Sequence, residues 1–225
     1  LRLYPQYFKN FPLIVPPIEE QRSMATYLDK ITAGIDKAIA QQQNKIDLLN
    51  ERKQIIIQRT VTKGLNEKVK MKNSGIDWLG EIPIHWDVKK IRHILSLANE
   101  KTKESGGELL SLSQYVGVTK KTDSDVGIRA AEDTTGYNVV HKGQFVMNIM
   151  LAWNGSYAVS EYDGIISPAY CVFDFTRECD KRYYNYLLRM KAYSGAFKTE
   201  SKGIIDSRLR LYPQYFKNFP LIVPP

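Results

Sequence analysis

The sequence predicts an α+β protein: a mixed α/β domain joined to one long coiled-coil α-helix. Three observations carry this. A proline-free run from Ile18 to Lys63 repeats apolar residues every seven positions. Beyond residue 74 the pattern changes to short apolar runs separated by turns. The segment LRLYPQYFKNFPLIVPP, residues 1–17, returns letter for letter as residues 209–225.

The repeat comes first in the chain and first in importance, because a missed repeat mistakes the architecture. Its period is 208 residues without a mismatch. The expectation is one whole period of a tandem or circular arrangement plus an overlap, either cut from a two-copy protein or circularly permuted. Each copy ends in Pro-Pro, which stops a strand and suits the first turn of a helix, where the missing N–H is not needed.

A helix is therefore expected to start near Ile18, with Glu19 and Glu20 complementing the dipole in its first turn. Leu28, Ile35, Gln42, Leu49 and Ile56 recur at seven-residue spacing, and Ile31, Ile39 and Ile46 fill intermediate positions. That is a coiled-coil seam, with Gln42 either fixing register or simply buried. At 1.5 Å per residue such a helix is roughly 65 Å long, too long for a small domain to cover along one side. It needs a partner helix. Gly64 and Asn66 supply its stop signals, with Lys63 in the last turn.

Past the polar linker 66–74, strands are expected at 109–113, 144–150, 155–160 and 169–175, and a helix rich in Tyr and Leu at 181–198. Gly106-Gly107 and Asp163-Gly164 are expected turns.

The length suits one good core plus an extended element rather than two enzyme domains. No stretch approaches the roughly 20 uninterrupted apolar residues of a membrane span, so no membrane association is expected. The segment beginning at Leu1 has no secretory pattern, and the expected location is the cytoplasm. Cys171 and Cys179, eight apart and without a nearby His cluster, read as buried reduced thiols.

The net charge of +8 invites a nucleic acid, yet residues 74–208 hold 17 basic and 17 acidic side chains. Any cationic surface on the central domain must therefore come from local clustering.

Catalytic motifs are missing. There is no GxxxxGK[ST] loop, no Gly-rich loop after a strand, no GxSxG, and no spacing of His85, His93 or His141 that suggests zinc. No metal and no cofactor are expected on this chain. Glu200-Ser201-Lys202 with Asp174 or Asp163 loosely matches a metal-dependent nuclease, but an E-x-K triplet is common in charged loops.

Base readout needs polar side chains presented by loops or a helix, and phosphate contact needs Lys, Arg or backbone N–H groups. Three stretches qualify. The first runs from Gln114 and Tyr115 to Lys120 and Lys121. The second contains Asn148, Trp153 and Asn154, and the third Lys198, Lys202, Arg208 and Arg210. Against this, large aromatics such as Tyr115 and Trp153 more often pack than touch bases, and lysines are commonly just solvated. The third stretch is favoured, since Gly203 and its polar neighbours suggest a loop leading into the final strand, with Arg208 a candidate guanine reader.

Several segments together resemble the specificity subunits of type I restriction-modification systems. They are Pro16-Pro17-Ile18-Glu19-Glu20-Gln21, Leu49-Asn50-Glu51-Arg52-Lys53-Gln54 and Val61-Thr62-Lys63-Gly64-Leu65-Asn66. The likeness continues in Trp78-Leu79-Gly80-Glu81-Ile82-Pro83 with Trp86, in Ala152-Trp153-Asn154-Gly155, and in Tyr162-Asp163-Gly164-Ile165-Ile166-Ser167-Pro168-Ala169-Tyr170.

The resemblance implies that residues 73–225 form a target recognition domain and 18–72 a helical conserved region, with 1–17 the duplicated closing segment of a recognition domain. It implies a DNA-binding subunit that is not itself an enzyme. Methyltransferase (modification) subunits would dock on it, the restriction subunit would join through them, and S-adenosylmethionine would belong to the methyltransferase. Family members carry two recognition domains joined by antiparallel helices, whereas this chain has one of each. A homodimer through Leu28, Ile35, Leu49 and Ile56 is thus expected to read a palindromic interrupted site. The alternative is a coiled-coil scaffold whose α/β domain binds protein or RNA.

Overall fold

A computed structural model describes residues 4–9, 11–121, 133–203 and 209–225. The chain divides into two units, residues 1–53 and 54–225.

The first unit holds a short helix, α1 (Pro5–Phe8), and most of a long one, α2 (Ile18–Lys63). The start of α2 falls where the Pro-Pro pair placed it. Glu19 and Glu20 occupy its first turn, and the Gln21 amide donates back to the Pro16 carbonyl at 2.7 Å. The seam is uncovered: Leu28, Ile31, Ile35, Ile39, Ile46, Leu49 and Ile56 are each between 43 and 62 % exposed. Gln42 lies exposed among them. A stripe this apolar and this long on one helix is what a partner helix covers in a coiled coil.

The second unit begins within α2. Val61 and Thr62 are buried, and the Tyr183 hydroxyl donates to the Val61 carbonyl at 3.0 Å. Gly64 then ends the helix at φ 75°, a left-handed position that disfavours other residues, and a Cβ there would lie 3.3 Å from the Trp86 ring.

Twelve strands follow among the described residues. β1 (Met71–Asn73) pairs with β2 (Glu81–Pro83), and then come β3 (Asp87–Lys90), a 3-10 turn at Ile91–His93, and β4 (Leu95–Ala98). β5 (Leu110–Ser113) and β6 (Gly117–Lys120) form a hairpin, followed by β7 (Asn138–Val140) and β8 (Phe145–Asn148). A 3-10 turn at Ala152–Asn154 leads to β9 (Tyr157–Val159), β10 (Gly164–Ile166) and β11 (Tyr170–Phe175). The chain closes with α3 (Lys181–Leu188), α4 (Lys191–Glu200), α5 (Pro213–Phe216) and β12 (Pro220–Val223).

An antiparallel sheet in the order β4-β11-β8-β9 organises this unit. All four residues of β8 are buried, because both faces of the strand are covered. Phe145, Met147 and Phe173 enter one apolar cluster with α3, α4, α5 and β12. Val146 and Val172 enter a second with Leu110, Leu112, Val118, Val140 and Ile166 from the hairpins. Phe216 sits among Phe145, Phe173 and Phe197 at centroid distances of 5.3–5.7 Å, stacked on Phe145. Residues 209–225 thus complete the first cluster, and β12 pairs with β3 in the register Ile222↔Val88 and Leu221↔Lys89.

The four expected strands correspond to β5, β8, β9 and β11, each somewhat trimmed. Three expectations need correction. The helix at 181–198 is two helices, since Met190 is extended (φ −65°, ψ 145°); the Tyr and Leu pattern continues across the break and hides it. Gly164 is not in a turn but opens β10, where a Cβ would collide with the Glu108 carbonyl oxygen and the Leu110 side chain. Cys171 and Cys179 are free but only half-buried, and burial pushes the Cys171 thiol up to about 11.

The two copies of the repeat share local geometry and differ in surroundings. α1 and α5 are the same PQYF turn, ending at Lys9 (φ −61°, ψ −21°) and Lys217 (φ −61°, ψ −18°). Phe216 is fully buried; its counterpart Phe8 is 66 % exposed.

Candidate nucleic-acid interface

Parts of each of the three candidate stretches are tied to one edge of the second unit, where β8 ends and β9 begins. The Ser156 hydroxyl donates to the Leu112 carbonyl at 3.4 Å, joining that edge to the β5–β6 hairpin. Leu211 N–H donates to the Ile149 carbonyl at 2.9 Å, joining it to the closing segment. The Lys198 ammonium lies 5.2 Å from the Trp153 ring centre, which brings in α4.

At the hairpin tip, Gln114 is half-buried while Tyr115 and Val116 stand 83 and 75 % exposed. An aromatic ring held out in water on a short turn has little packing role, so the packing explanation of Tyr115 does not hold. The tip is anchored from behind. The Arg189 guanidinium donates to the carbonyls of Gln114 (2.8 Å), Tyr115 (3.1 Å) and Tyr157 (2.8 Å). Burial lowers its pKa, and the three carbonyl oxygens replace water around the charge. Sequence inspection missed Arg189, because an anchor of this kind has no local pattern.

Lys120 and Lys121 lie at the base of the hairpin, away from the tip. Lys120 pairs with Glu108 at 3.1 Å and faces the Tyr162 ring. Such half-exposed pairs contribute at most about 1 kcal/mol.

The second stretch splits. Asn148 is 3 % exposed, and its Oδ1 accepts from Met150 N–H at 3.0 Å; as a direct base reader it is ruled out in this geometry, its amide being used to turn the chain out of β8. Trp153 is half-buried with its indole N–H donating to the Met150 carbonyl at 3.1 Å, and Asn154 beside it is exposed.

In the third stretch, Lys202 and Arg210 face each other across an antiparallel bridge with two 2.9 Å backbone bonds. The Lys202 ammonium lies 5.1 Å from the Tyr215 ring centre, and Arg210 donates to the Leu209 carbonyl. Arg208 lies outside the described residues.

A second basic surface escaped notice in the sequence. Lys89, Lys90, Arg92, His93 and Arg177 line a groove of about 860 Å³ beside β3 and β12, and no carboxylate lines it among the described residues. Arg177 arrives there from far along the chain, so only folding assembles the patch.

The nuclease arrangement is not assembled. Asp174 accepts the Gln144 amide at 2.7 Å and Asp163 accepts Lys142 N–H at 2.9 Å. Among the described residues no three His, Cys, Asp or Glu side chains group closely enough to hold a metal. No described helix is long and apolar enough to cross a membrane.

No protein-family model matches the chain. Two relatives from Methanocaldococcus jannaschii do. The type I restriction enzyme MjaVIII specificity subunit is 33 % identical over 94 residues, 42 % of this chain and 20 % of that one. The putative type I restriction enzyme MjaX specificity subunit is 34 % identical over 93 residues, 41 % of this chain and 19 % of that one. The matched stretch thus spans about a fifth of each relative. Among solved structures, the HsdS subunit from Thermoanaerobacter tengcongensis aligns over 94 % of this chain and 48 % of its own, with TM-score 0.43 and 14 % identity. A chain from a structure of the type I R-M system aligns over 94 and 49 %, with TM-score 0.47 and 13 % identity.

Proposed function

We propose, from the likeness to type I restriction specificity subunits that the sequence suggested and the relatives bear out, that this chain is a DNA-reading subunit without catalysis of its own. The observation that supports this most is that the hairpin carrying exposed Tyr115, the turn carrying exposed Asn154, and the segments carrying exposed Lys198 and Lys202 are all tied to the junction of β8 and β9. Aromatic and amide groups that can meet base edges stand there among cations that can meet phosphates.

Methyltransferase subunits dock on the protein and bring S-adenosylmethionine with them, and the restriction subunit joins through the methyltransferase. The complex works on cellular DNA in the cytoplasm. Residues 73–225 act as the target recognition domain and 18–72 as the helical spacer.

Two chains pair antiparallel along the exposed seam of α2, burying Leu28, Ile31, Ile35, Ile39, Gln42, Ile46, Leu49 and Ile56. A two-fold pair presents two identical recognition domains, which suits a palindromic site interrupted by a spacer set by helix length. Electrophoretic mobility shift of duplex DNA at several salt concentrations tests the reading: phosphate contacts give an affinity that falls steeply with salt, whereas the scaffold alternative gives no duplex binding.

A further inference from the structure

The duplicated segment has a known seat in this fold, and one of its copies is out of it. Residues 209–225 fill the seat: Leu221, Ile222 and Val223 are 0, 0 and 4 % exposed, and β12 lies along β3. The same residues in the other copy, Leu13, Ile14 and Val15, are 84, 91 and 72 % exposed, although α1 already has the backbone geometry of α5. An apolar segment preformed for a seat and left in water is a docking element, and an identical sequence makes identical contacts.

We propose that residues 4–17 of one chain occupy the β3 seat of a second copy, displacing that copy's residues 209–225 in a reciprocal strand exchange. This rests on the antiparallel dimer above. In such a pair the first turn of one α2 lies beside the last turn of the other. The last turn, through Val61, belongs to the same apolar cluster as Phe216, Leu221, Ile222 and Val223. Residues 4–17 run directly into the first turn at Ile18, so the pairing delivers them to the partner's seat. Because the two copies compete with equal contacts, the balance is set by tethering alone, and small changes in either copy move it. The exchange locks the dimer by threading each domain's closing strand into the helix of its partner.

Disulfide trapping in the full chain tests this. Ile14 corresponds to Ile222, whose cross-strand partner is Val88. Paired residues in antiparallel strands have Cα atoms about 4.5–5.5 Å apart, within the range a disulfide spans. The double variant Ile14→Cys, Val88→Cys should give a covalent dimer that neither single variant gives, with peptide mapping placing the disulfide between the two substituted positions. Adding Leu221→Ala, which weakens only the C-terminal copy, should shift the exchange toward the crosslink by about 30-fold or more, and adding Leu13→Ala should shift it back. A dimer by sedimentation that forms no such bond, even with Leu221→Ala, overturns the exchange while leaving the dimer. A monomer by sedimentation overturns the dimer itself and the exchange with it.

Discussion

The Arg189 guanidinium donates to the Gln114 carbonyl oxygen at 2.8 Å, tying the end of α3 to a hairpin tip 75 residues earlier in the chain. The same group holds Tyr115 and Tyr157 through their carbonyls. A turn that carries an exposed aromatic ring is thereby fixed from its buried side.

Arg189→Ala removes three hydrogen bonds and leaves three carbonyls short of a donor. It should lower stability by about 1–3 kcal/mol in urea unfolding and lower specific DNA affinity at least as much, because the hairpin tip is no longer held. Unchanged DNA affinity would dissociate the tip from recognition.

Tyr115→Ala should leave urea stability within about 0.5 kcal/mol of the parent, since the ring is solvated. Binding to the cognate duplex should weaken more than binding to a scrambled one, as gel shift with both duplexes would reveal. Equal losses would make Tyr115 a nonspecific contact.

Asn148→Ala should act in the opposite sense. Its Oδ1 is used internally by Met150 N–H, so the expected effect is a stability loss of about 1–3 kcal/mol with the base preference of the remaining folded protein unchanged.

Lys202→Ala should weaken binding to all duplexes alike and reduce the slope of log affinity against log salt by about one, as loss of one phosphate contact does. An unchanged slope would leave the ammonium as no more than a neighbour of the Tyr215 ring.

His141 should make stability pH-dependent. Its Nε2 lies 2.9 Å from a Glu100 carboxylate oxygen, and that bond raises the imidazole pKa above its ordinary 6.5. The stabilisation is fully present below the unfolded value near 6.5 and is lost as pH rises through the higher folded value. Because the pair is largely exposed, the effect is at most about 1 kcal/mol. Melting temperature measured from pH 6 to 8 should fall more in the parent than in His141→Gln.

The elements legible in the sequence were those with local signals. Pro16-Pro17 and Gly64 mark the ends of α2, and apolar runs mark β8 and β11. The break at Met190 was not legible, because its cause is tertiary: it lets Tyr193 and Phe197 enter the core while Arg189 reaches the hairpin. Asn148 read as a base contact because sequence gives residue type and not burial. The basic groove of Lys89, Lys90, Arg92 and Arg177 was invisible for the converse reason, since Arg177 joins the others only where the chain leaving β11 bonds through Thr176 to the His93 and Ile94 carbonyls.

Sequence-specific DNA reading by a paired chain is open to a single decisive experiment, selection of bound duplexes from a randomised library. One interrupted palindrome should be enriched, with enrichment reduced by Tyr115→Ala and the two half-sites uncoupled by Ile35→Asp in the helix seam. Recovery of duplexes with no common sequence, or no retention of duplex DNA at low salt, would contradict it.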